Sequence, residues 1–222
     1  MELNIIHEDE DIIVCYKPAG VATQTAKLGQ QDMDSLLRNY LASKNEDTYI
    51  GIINRLDQPV EGLMLFAKNK AAAANLSEQM KTHGIGKHYY AVTDGIPESV
   101  MGTLTDYLLT DKRTNTTAVV GKERKNAKKA VLAYNVIYTR GNHAMIDVSL
   151  KTGRQHQIRV QMAHMGCPLL GDQKYGNGKV QGIRTPGLCS YRVTFEHPRT
   201  KEKMHFEIKP QNKIFKEFVE QI

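Results

Sequence analysis

A charged turn stands directly in front of an apolar run in the stretch Asn54-Arg55-Leu56-Asp57-Gln58-Pro59-Val60-Glu61-Gly62-Leu63-Met64-Leu65-Phe66-Ala67-Lys68. The proline and glycine that follow Asp57 predict a turn, and residues 63–67 predict a buried strand. The Asp57 carboxylate would then lie at the edge of a buried region, a position typical of a reactive group. The alternative is an ordinary turn aspartate that hydrogen-bonds to its own backbone.

Three further blocks follow in order along the chain. They are Lys87-His88-Tyr89-Tyr90-Ala91-Val92-Thr93-Asp94-Gly95, Thr152-Gly153-Arg154-Gln155-His156-Gln157-Ile158-Arg159, and the GD-x-x-YG segment from Gly171 to Gly176. Together with the first stretch they resemble the RluA family of RNA pseudouridine synthases, whose signatures read roughly HRLD-x-x-x-x-G-L-L-x-x-A-K, K-x-Y-x-A-x-V-x-G and T-G-R-x-H-Q-I-R. The blocks span nearly the whole chain, so the resemblance is much more specific than one four-residue match.

The order of the elements predicts an α+β protein. Residues 101–109, 118–120, 130–139 and 144–150 are short, β-branched segments without helices between them, which indicates an antiparallel or mixed sheet. The resemblance implies the pseudouridine synthase fold, a mixed, mostly antiparallel sheet with flanking helices and a central active-site cleft. It also implies one catalytic domain over residues 1–222, without the small N-terminal RNA-binding module that many relatives carry.

Capping residues mark the expected helices. Asp32 predicts a helix that runs to about Ser43, and Asn69 predicts one from Lys70 to about Thr82. Two short strands are expected around residues 7–11, and a strand pair at 188–195 and 203–208. A C-terminal helix to Ile222 is expected to follow.

Composition limits the classes of protein. The chain has 222 residues with a net charge of +6, which favours a polyanionic partner. Its three cysteines form no C-x-x-C pair, which excludes the common zinc and redox motifs. His156 and His164 would lie about 12 Å apart along a helix, too far to share a metal. Without a signal segment or a long apolar run, we expect a cytoplasmic monomer with no membrane association.

The resemblance assigns three catalytic residues. Asp57 would be the nucleophile that holds the uridine fragments while the uracil turns, by adding to either the sugar or the base. Arg159 would keep Asp57 ionised, its alternative being a surface arginine on an amphipathic helix. Tyr89 would stack on the flipped base and remove the proton from carbon 5, its alternative being a core aromatic. An isomerisation of this kind needs no metal and no nucleotide cofactor.

Four residues are predicted to bind the substrate. Arg55 would fill the place of the everted uridine or bind the flanking backbone, and Arg154 would serve turn structure or RNA phosphate. Leu188 would pack against the base, or else lie in the core. Lys17 of the Lys-Pro-x-Gly segment would lie near the active-site surface, or else be a solvated strand-end lysine. A dense basic run would hold phosphates or form a solvated hairpin: Lys122, Arg124, Lys125, Lys128 and Lys129.

Departures from the family pattern limit what can be transferred. Asn54 replaces the common His, Val60-Glu61 replaces Thr-Ser, and Cys189-Ser190 stands where His-Ala is frequent. None of them removes Asp57, Tyr89 or Arg159. The sequence therefore predicts an RNA pseudouridine synthase that acts on ribosomal or transfer RNA. The rival hypothesis is an inactive RNA- or ribosome-binding protein of the same fold.

Overall fold

The computed structural model describes residues 3–25, 29–177 and 183–218, and the chain divides into two compact units. The first unit comprises Met1–Lys87 and Ser190–Ile208, and the second comprises His88–Cys189 and Lys209–Ile222. The strands are β1 Asn4–Glu8, β2 Ile12–Lys17, β3 Gly51–Ile52, β4 Glu61–Ala67, β5 Gly86–Asp94, β6 Met101–Asp111, β7 Thr116–Val120, β8 Lys128–Arg140, β9 His143–Leu150, β10 Leu188–Glu196 and β11 Lys203–Glu207. The helices are α1 Met33–Ser43, α2 Lys70–Lys81, α3 Gln157–His164 and a 3₁₀ helix at Lys213–Glu217.

The first unit is built on the strand order β1-β2-β4-β10, with β3 paired to β4 and β11 paired to β10. All residues of β2 and β4 are buried, because the core covers both faces of these strands. This burial explains why β4 reads as a continuous apolar run instead of an alternating one. One core cluster joins β2, β4 and β10 to the apolar face of α2, through Val14, Leu65, Val193 and Leu76.

Side-chain caps start the two helices of this unit, as predicted. The Asp32 carboxylate accepts the Ser35 N–H at 2.8 Å and so begins α1. The Asn69 side chain accepts the Ala72 N–H at 2.8 Å and begins α2. Each cap satisfies a backbone donor that would otherwise lack a partner within the helix.

The second unit is an antiparallel sheet in the order β5-β9-β8-β6-β7. Helix α3 contacts β6 and β7, and Val160 of α3 packs with Leu108 of β6 and Ala130 of β8. The residues from Gln157 to Met162 are all buried, so α3 is covered on every side except at its last two residues. A helix buried all round lacks the polar stripe of an amphipathic surface helix.

The predicted α+β class and mostly antiparallel sheet are confirmed. The C-terminal helix differs from expectation: the 3₁₀ helix ends at Glu217, and residues 219–222 lie outside the described residues. The two-residue strand β3 was not predicted, because so short a segment carries no periodicity. A single domain with a central cleft stays a prediction. No helix within the described residues is long and apolar enough to cross a membrane.

Gly62 gives a test of how closely β4 and β10 pack. Its φ is +129°, and an added Cβ would lie 2.5 Å from both the main-chain nitrogen and the main-chain oxygen of Ser190. We expect Gly62→Ala to lower the free energy of unfolding by at least about 3 kcal/mol, because backbone must move. Gly141→Ala is the control: φ is +58° and nothing lies within 4 Å, so a loss of about 1 kcal/mol is expected. Equal losses in chemical denaturation would contradict the close approach.

Candidate active site

Asp57 lies on a tight turn in the first unit. The turn closes by a hydrogen bond of 3.0 Å from the Val60 N–H to the Asp57 carbonyl. The Asp57 residue is half-buried, and Arg55 two positions earlier is exposed. The turn therefore holds the carboxylate near the surface, in agreement with the prediction from the proline and glycine that follow it.

Two buried side chains fix the residues before Asp57. Asn54 accepts the Leu65 N–H at 2.7 Å and donates to the Leu63 carbonyl at 3.4 Å. Thr23 donates its hydroxyl to the Leu56 carbonyl at 2.9 Å and accepts the Leu56 N–H at 3.2 Å. Asn54, which departs from the family pattern, thus acts as an extra backbone partner for β4 and holds the turn on the strand.

Lys17 lies beneath the same turn and is fully buried. Its ammonium donates to the carbonyls of Val21, Pro18 and Gln58 at 2.6, 3.1 and 3.1 Å. Burial lowers the pKa of Lys17 to about 7, although the carboxylates of Asp57 and Glu61 oppose this shift.

An ammonium has three donors, and all three go to main-chain carbonyls. The alternative of a solvated strand-end lysine is therefore wrong. The prediction that Lys17 contacts the substrate also needs correction, because a buried ammonium with its donors used cannot reach RNA in this conformation. Lys17 instead fastens the loop at residues 18–21 to Gln58, the neighbour of Asp57.

Tyr89 lies on β5 in the second unit, opposite Val148 of β9. It is 5% exposed, and Tyr90 on the other face of the strand is 8% exposed. Both aromatics are buried, so burial alone does not separate a catalytic tyrosine from a core one.

Two irregular segments run beside β5. Val92 accepts the Leu170 N–H at 2.9 Å and donates to the Gly187 carbonyl at 2.9 Å. Gly187 in turn donates to the Leu170 carbonyl at 2.9 Å. The strand that carries Tyr89 therefore lies next to the buried Leu188 and next to the GD-x-x-YG segment.

The T-G-R-x-H-Q block fastens α3 to β8. Gln157 accepts the Thr152 hydroxyl at 2.8 Å and the Arg154 N–H at 2.9 Å, and its amide nitrogen donates to the Val131 carbonyl at 3.1 Å. Thr152 also accepts the Val131 N–H at 2.8 Å. These bonds set the position at which α3 begins, and thereby the position of Arg159 in its first turn.

Arg159 is 5% exposed, so the alternative of a surface arginine is wrong. Its Nε and Nη2 donate to the two oxygens of Asp172 at 2.7 and 2.8 Å, a bidentate pair. Its guanidinium carbon also lies 5.1 Å from the centroid of the Tyr175 ring. Asp172 and Tyr175 received no role from the sequence, although the GD-x-x-YG segment that contains them was the signal available.

Arg154 is exposed and donates its Nε to the Lys129 carbonyl at 2.9 Å. The bond ties Arg154 to β8, and its predicted role in turn structure or RNA phosphate binding stays a prediction. It also places Arg154 beside the β7–β8 connection and the start of β8, where five basic residues are all exposed: Lys122, Arg124, Lys125, Lys128 and Lys129.

One group of side chains in the described residues has metal-ligand spacing. Single ligand atoms of Asp9, Asp11 and His197 lie within 4.8 Å of one another. His197 Nδ1 accepts the Arg199 and Thr200 N–H groups, so Nε2 carries the proton that it donates to Asp9 at 3.1 Å. Asp11 is bound by Arg199 at 2.7 Å. Hydrogen bonds within this group therefore connect the β1–β2 turn to the β10–β11 turn.

Comparison with known proteins identifies the family. Residues 11–164 match the family described as RNA pseudouridylate synthase. The RNA pseudouridine synthase YlyB of Bacillus subtilis, described as uncharacterized, is 33% identical over 211 residues, which are 93% of this chain and 69% of that protein. Ribosomal large subunit pseudouridine synthase C of Rickettsia conorii is 34% identical over 177 residues, 79% of this chain and 57% of that protein.

The fold also has a solved counterpart. The human RNA pseudouridylate synthase domain containing 4 has a TM-score of 0.79 at 22% identity, and the match covers 98% of this chain and 92% of the human one. This likeness confirms the predicted fold. The chain spans less than two thirds of the Rickettsia protein, whereas the family match covers well over half of the chain. Fold, motifs and sequence agree with the RluA resemblance, and the chain belongs to the RNA pseudouridylate synthase family.

Proposed function

We propose that this protein is an RNA pseudouridine synthase in which Asp57 is the nucleophile. The observation that carries the proposal is the Asp57 turn, which Lys17, Thr23 and Asn54 fix from below while Asp57 itself stays half-buried. So much buried hydrogen bonding around one carboxylate at the surface suits a group that must keep its position during a reaction.

The reaction replaces the C1′–N1 bond of uridine with a C1′–C5 bond and consumes no second substrate. Asp57 adds to the uridine, the bond from C1′ to N1 breaks, and the uracil turns within the site. A bond from C1′ to C5 then forms, and the bond between Asp57 and the uridine breaks to return the carboxylate. The proton on C5 leaves to a base, for which Tyr89 is the candidate, and N1 gains a proton. Arg159 is proposed, from the family resemblance, as the cation of the catalytic set. Arg55, which is exposed, is proposed to replace the everted nucleotide in the RNA.

The substrate class follows from the relatives. The Rickettsia protein carries the large ribosomal subunit in its name, and we propose large-subunit ribosomal RNA as the first substrate, with transfer RNA as the second candidate. Both units are proposed to form one catalytic domain that works as a cytoplasmic monomer. The rival hypothesis is an inactive RNA-binding protein. Such a protein would bind RNA equally well without Asp57, Tyr89 or Arg159.

Asp57→Asn tests the nucleophile. We expect the release of tritium from RNA labelled at carbon 5 of uridine to fall on the order of 10⁴-fold or more, because an amide cannot replace the carboxylate as a nucleophile. The melting temperature should change little, since the side chain is only half-buried. Asp47→Asn is the control, because Asp47 is an exposed turn aspartate that accepts the Tyr49 N–H at 3.0 Å. Tight RNA binding without release by either wild type or variant would support the inactive binder.

Lys17→Met tests the support beneath the turn. We expect the turnover number to fall about 10-fold, because the carbonyl of Gln58 loses its partner and the Asp57 turn loosens. The folded pKa of Lys17 is about 7 against an ordinary value of 10.5. The unfolded chain therefore binds more protons between these pH values, and the stability of wild type relative to the variant increases as pH rises through that window.

The matched control is Lys70→Met, at the exposed start of α2. Its difference from wild type in unfolding free energy should stay flat over the same pH window. Parallel stability curves for Lys17→Met and wild type, together with unchanged turnover, would contradict the supporting role of Lys17.

The exposed basic run of the β7–β8 connection is proposed to bind RNA phosphate. Arg154 adds a further positive charge beside Lys129. The β6–β7 turn, at the other end of β7, carries the exposed Lys112 and Arg113. Between Met101 and Arg140 the sequence has eight basic and three acidic residues. Clustered positive charge on one ribbon of strands is the usual electrostatic footprint of nucleic-acid binding.

Replacing Lys122, Arg124 and Lys125 with Gln tests this surface. We expect weaker RNA binding and a smaller salt dependence, with the slope of log K against log salt reduced by about 0.7 to 0.9 for each phosphate that the variant no longer neutralises. The control removes the same charge elsewhere, at the exposed Lys70, Lys201 and Lys203. Equal slopes for both triple variants would show that only net charge matters.

A further inference from the structure

The Asp172 carboxylate is buried and uses both of its oxygens. It is 1% exposed, and besides the two bonds from Arg159 its Oδ1 accepts the N–H groups of Lys174 at 2.9 Å and Tyr175 at 3.2 Å. Burial raises the pKa of Asp172, but the hydrogen bonds and charge of Arg159 and the two N–H groups outweigh it and leave the pKa lowered. Asp172 therefore faces Arg159 as a carboxylate.

The bidentate pair with Asp172 determines which edge of the Arg159 guanidinium can bind a second group. A guanidinium has five N–H donors in a plane, and Asp172 takes the edge formed by Nε and Nη2. A second carboxylate can be bound bidentately only through the edge that includes Nη1. The position of Asp172 thus sets the direction in which Arg159 presents that edge.

Tyr175 fixes the plane of the same guanidinium. Its ring lies 5.1 Å from the guanidinium carbon of Arg159, within the range of a cation–π contact. Its hydroxyl oxygen accepts the Thr117 N–H of β7 at 2.9 Å and lies 2.7 Å from Nδ1 of His156. His156 is the residue directly before α3. The ring is therefore held between β7 and the start of the helix that carries Arg159.

The segment that carries Asp172 is itself attached to the strand of Tyr89. Leu170 is bonded to Val92 of β5, and the Asp172 N–H donates to the Leu169 carbonyl at 3.1 Å. Gly171 between them has a φ of +77°, and an added Cβ would lie 2.7 Å from the Thr185 carbonyl oxygen. The segment of Asp172 is thus bonded to β5 through Leu170, while the Asp172 side chain is bonded to Arg159 of α3.

Stability alone does not explain why Arg159 and Asp172 form a buried ion pair. The cost of removing two charges from water largely cancels their attraction, and apolar residues of similar volume often stabilise a core as well or better. What an apolar pair cannot supply is a cation of fixed direction. The two-oxygen contact and the aromatic ring together restrict the guanidinium in all three dimensions.

We propose that Asp172 and Tyr175 are positioning residues, which hold the guanidinium of Arg159 in the orientation that the reaction needs. The proposal rests on the proposed catalytic role of Arg159. Neither residue touches the reacting atoms in this scheme; both act through Arg159. It follows that their loss should change turnover and leave RNA affinity unaltered, and should matter only while the arginine is present.

The test is a double-mutant cycle between Asp172→Asn and Arg159→Lys. Tritium release is measured under single-turnover conditions with enzyme in excess, so that slow variants remain measurable. We expect Asp172→Asn to lower the rate about 30-fold or more, with the dissociation constant for RNA within about twofold, since the direction of one transition-state charge is lost. In the Arg159→Lys background, the same substitution should change the rate less than about twofold.

Tyr175→Phe is the second variant and keeps the proposal testable if Asp172→Asn fails to fold. It retains the ring beside the guanidinium and loses the hydroxyl that contacts Thr117 and His156. A fall of about 3- to 10-fold is therefore expected, again only with Arg159 present. Asp34→Asn is the control: Asp34 binds Nε of Arg38 with both oxygens at 3.1 Å on α1, and its loss should leave the rate unchanged.

The outcomes separate this inference from the proposed function. A wild type that releases no tritium from any RNA contradicts the proposed function, and an Arg159→Lys variant as fast as wild type contradicts the catalytic role of Arg159 on which this inference rests. If wild type is active and Arg159→Lys is slow, a wild-type rate for the Asp172 and Tyr175 variants overturns the positioning role alone. Equal losses in both backgrounds also overturn it, because they would show an effect on the fold that does not pass through Arg159.

Discussion

A buried ammonium that binds three main-chain carbonyls is the interaction on which the Asp57 turn depends. Lys17 is fully covered, and its donors join residues 18–21 to Gln58. A charge so buried is costly unless it is fully hydrogen-bonded, so the loop must keep its carbonyls aimed at the ammonium. The consequence is a local restraint: movement of the Gln58 backbone, directly after Asp57, would take an acceptor away from the buried Lys17.

The second unit uses the same physical device with a different partner. There the buried cation is Arg159, and its partner is the Asp172 carboxylate instead of backbone oxygens. The T-G-R-x-H-Q block places the helix on β8, and the GD-x-x-YG segment places the carboxylate beside β5. The motifs of the sequence are therefore mostly scaffolding for a few functional groups. Asn54, Gln157 and Asp172 of these motifs bond to buried polar groups, which restricts the side chains that they position.

Much of the fold could be predicted from local signals. The helix caps at Asp32 and Asn69 depend on hydrogen bonds between residues three positions apart, and the burial of β4 is visible as an apolar run. Both signals lie within a few consecutive residues of the sequence. Roles that depend on distant partners could not be predicted. A lysine at a strand end reads the same whether it is solvated or buried, and only the fold brings Gln58 over Lys17.

The same limit applies to the candidate site in the second unit. Asp172 lies thirteen residues beyond Arg159 in an irregular segment with no periodicity, so the spacing gave no indication of a pair. Helix α3 read as amphipathic although it is buried on every side, because its glutamines bind the neighbouring strands and do not face water. The most direct test of the proposed activity is a map of pseudouridine in ribosomal and transfer RNA from cells that lack this protein. We predict that at least one uridine loses its modification and regains it with the wild-type gene but not with Asp57→Asn; an unchanged map, or restoration by the Asp57 variant, would contradict the proposed activity.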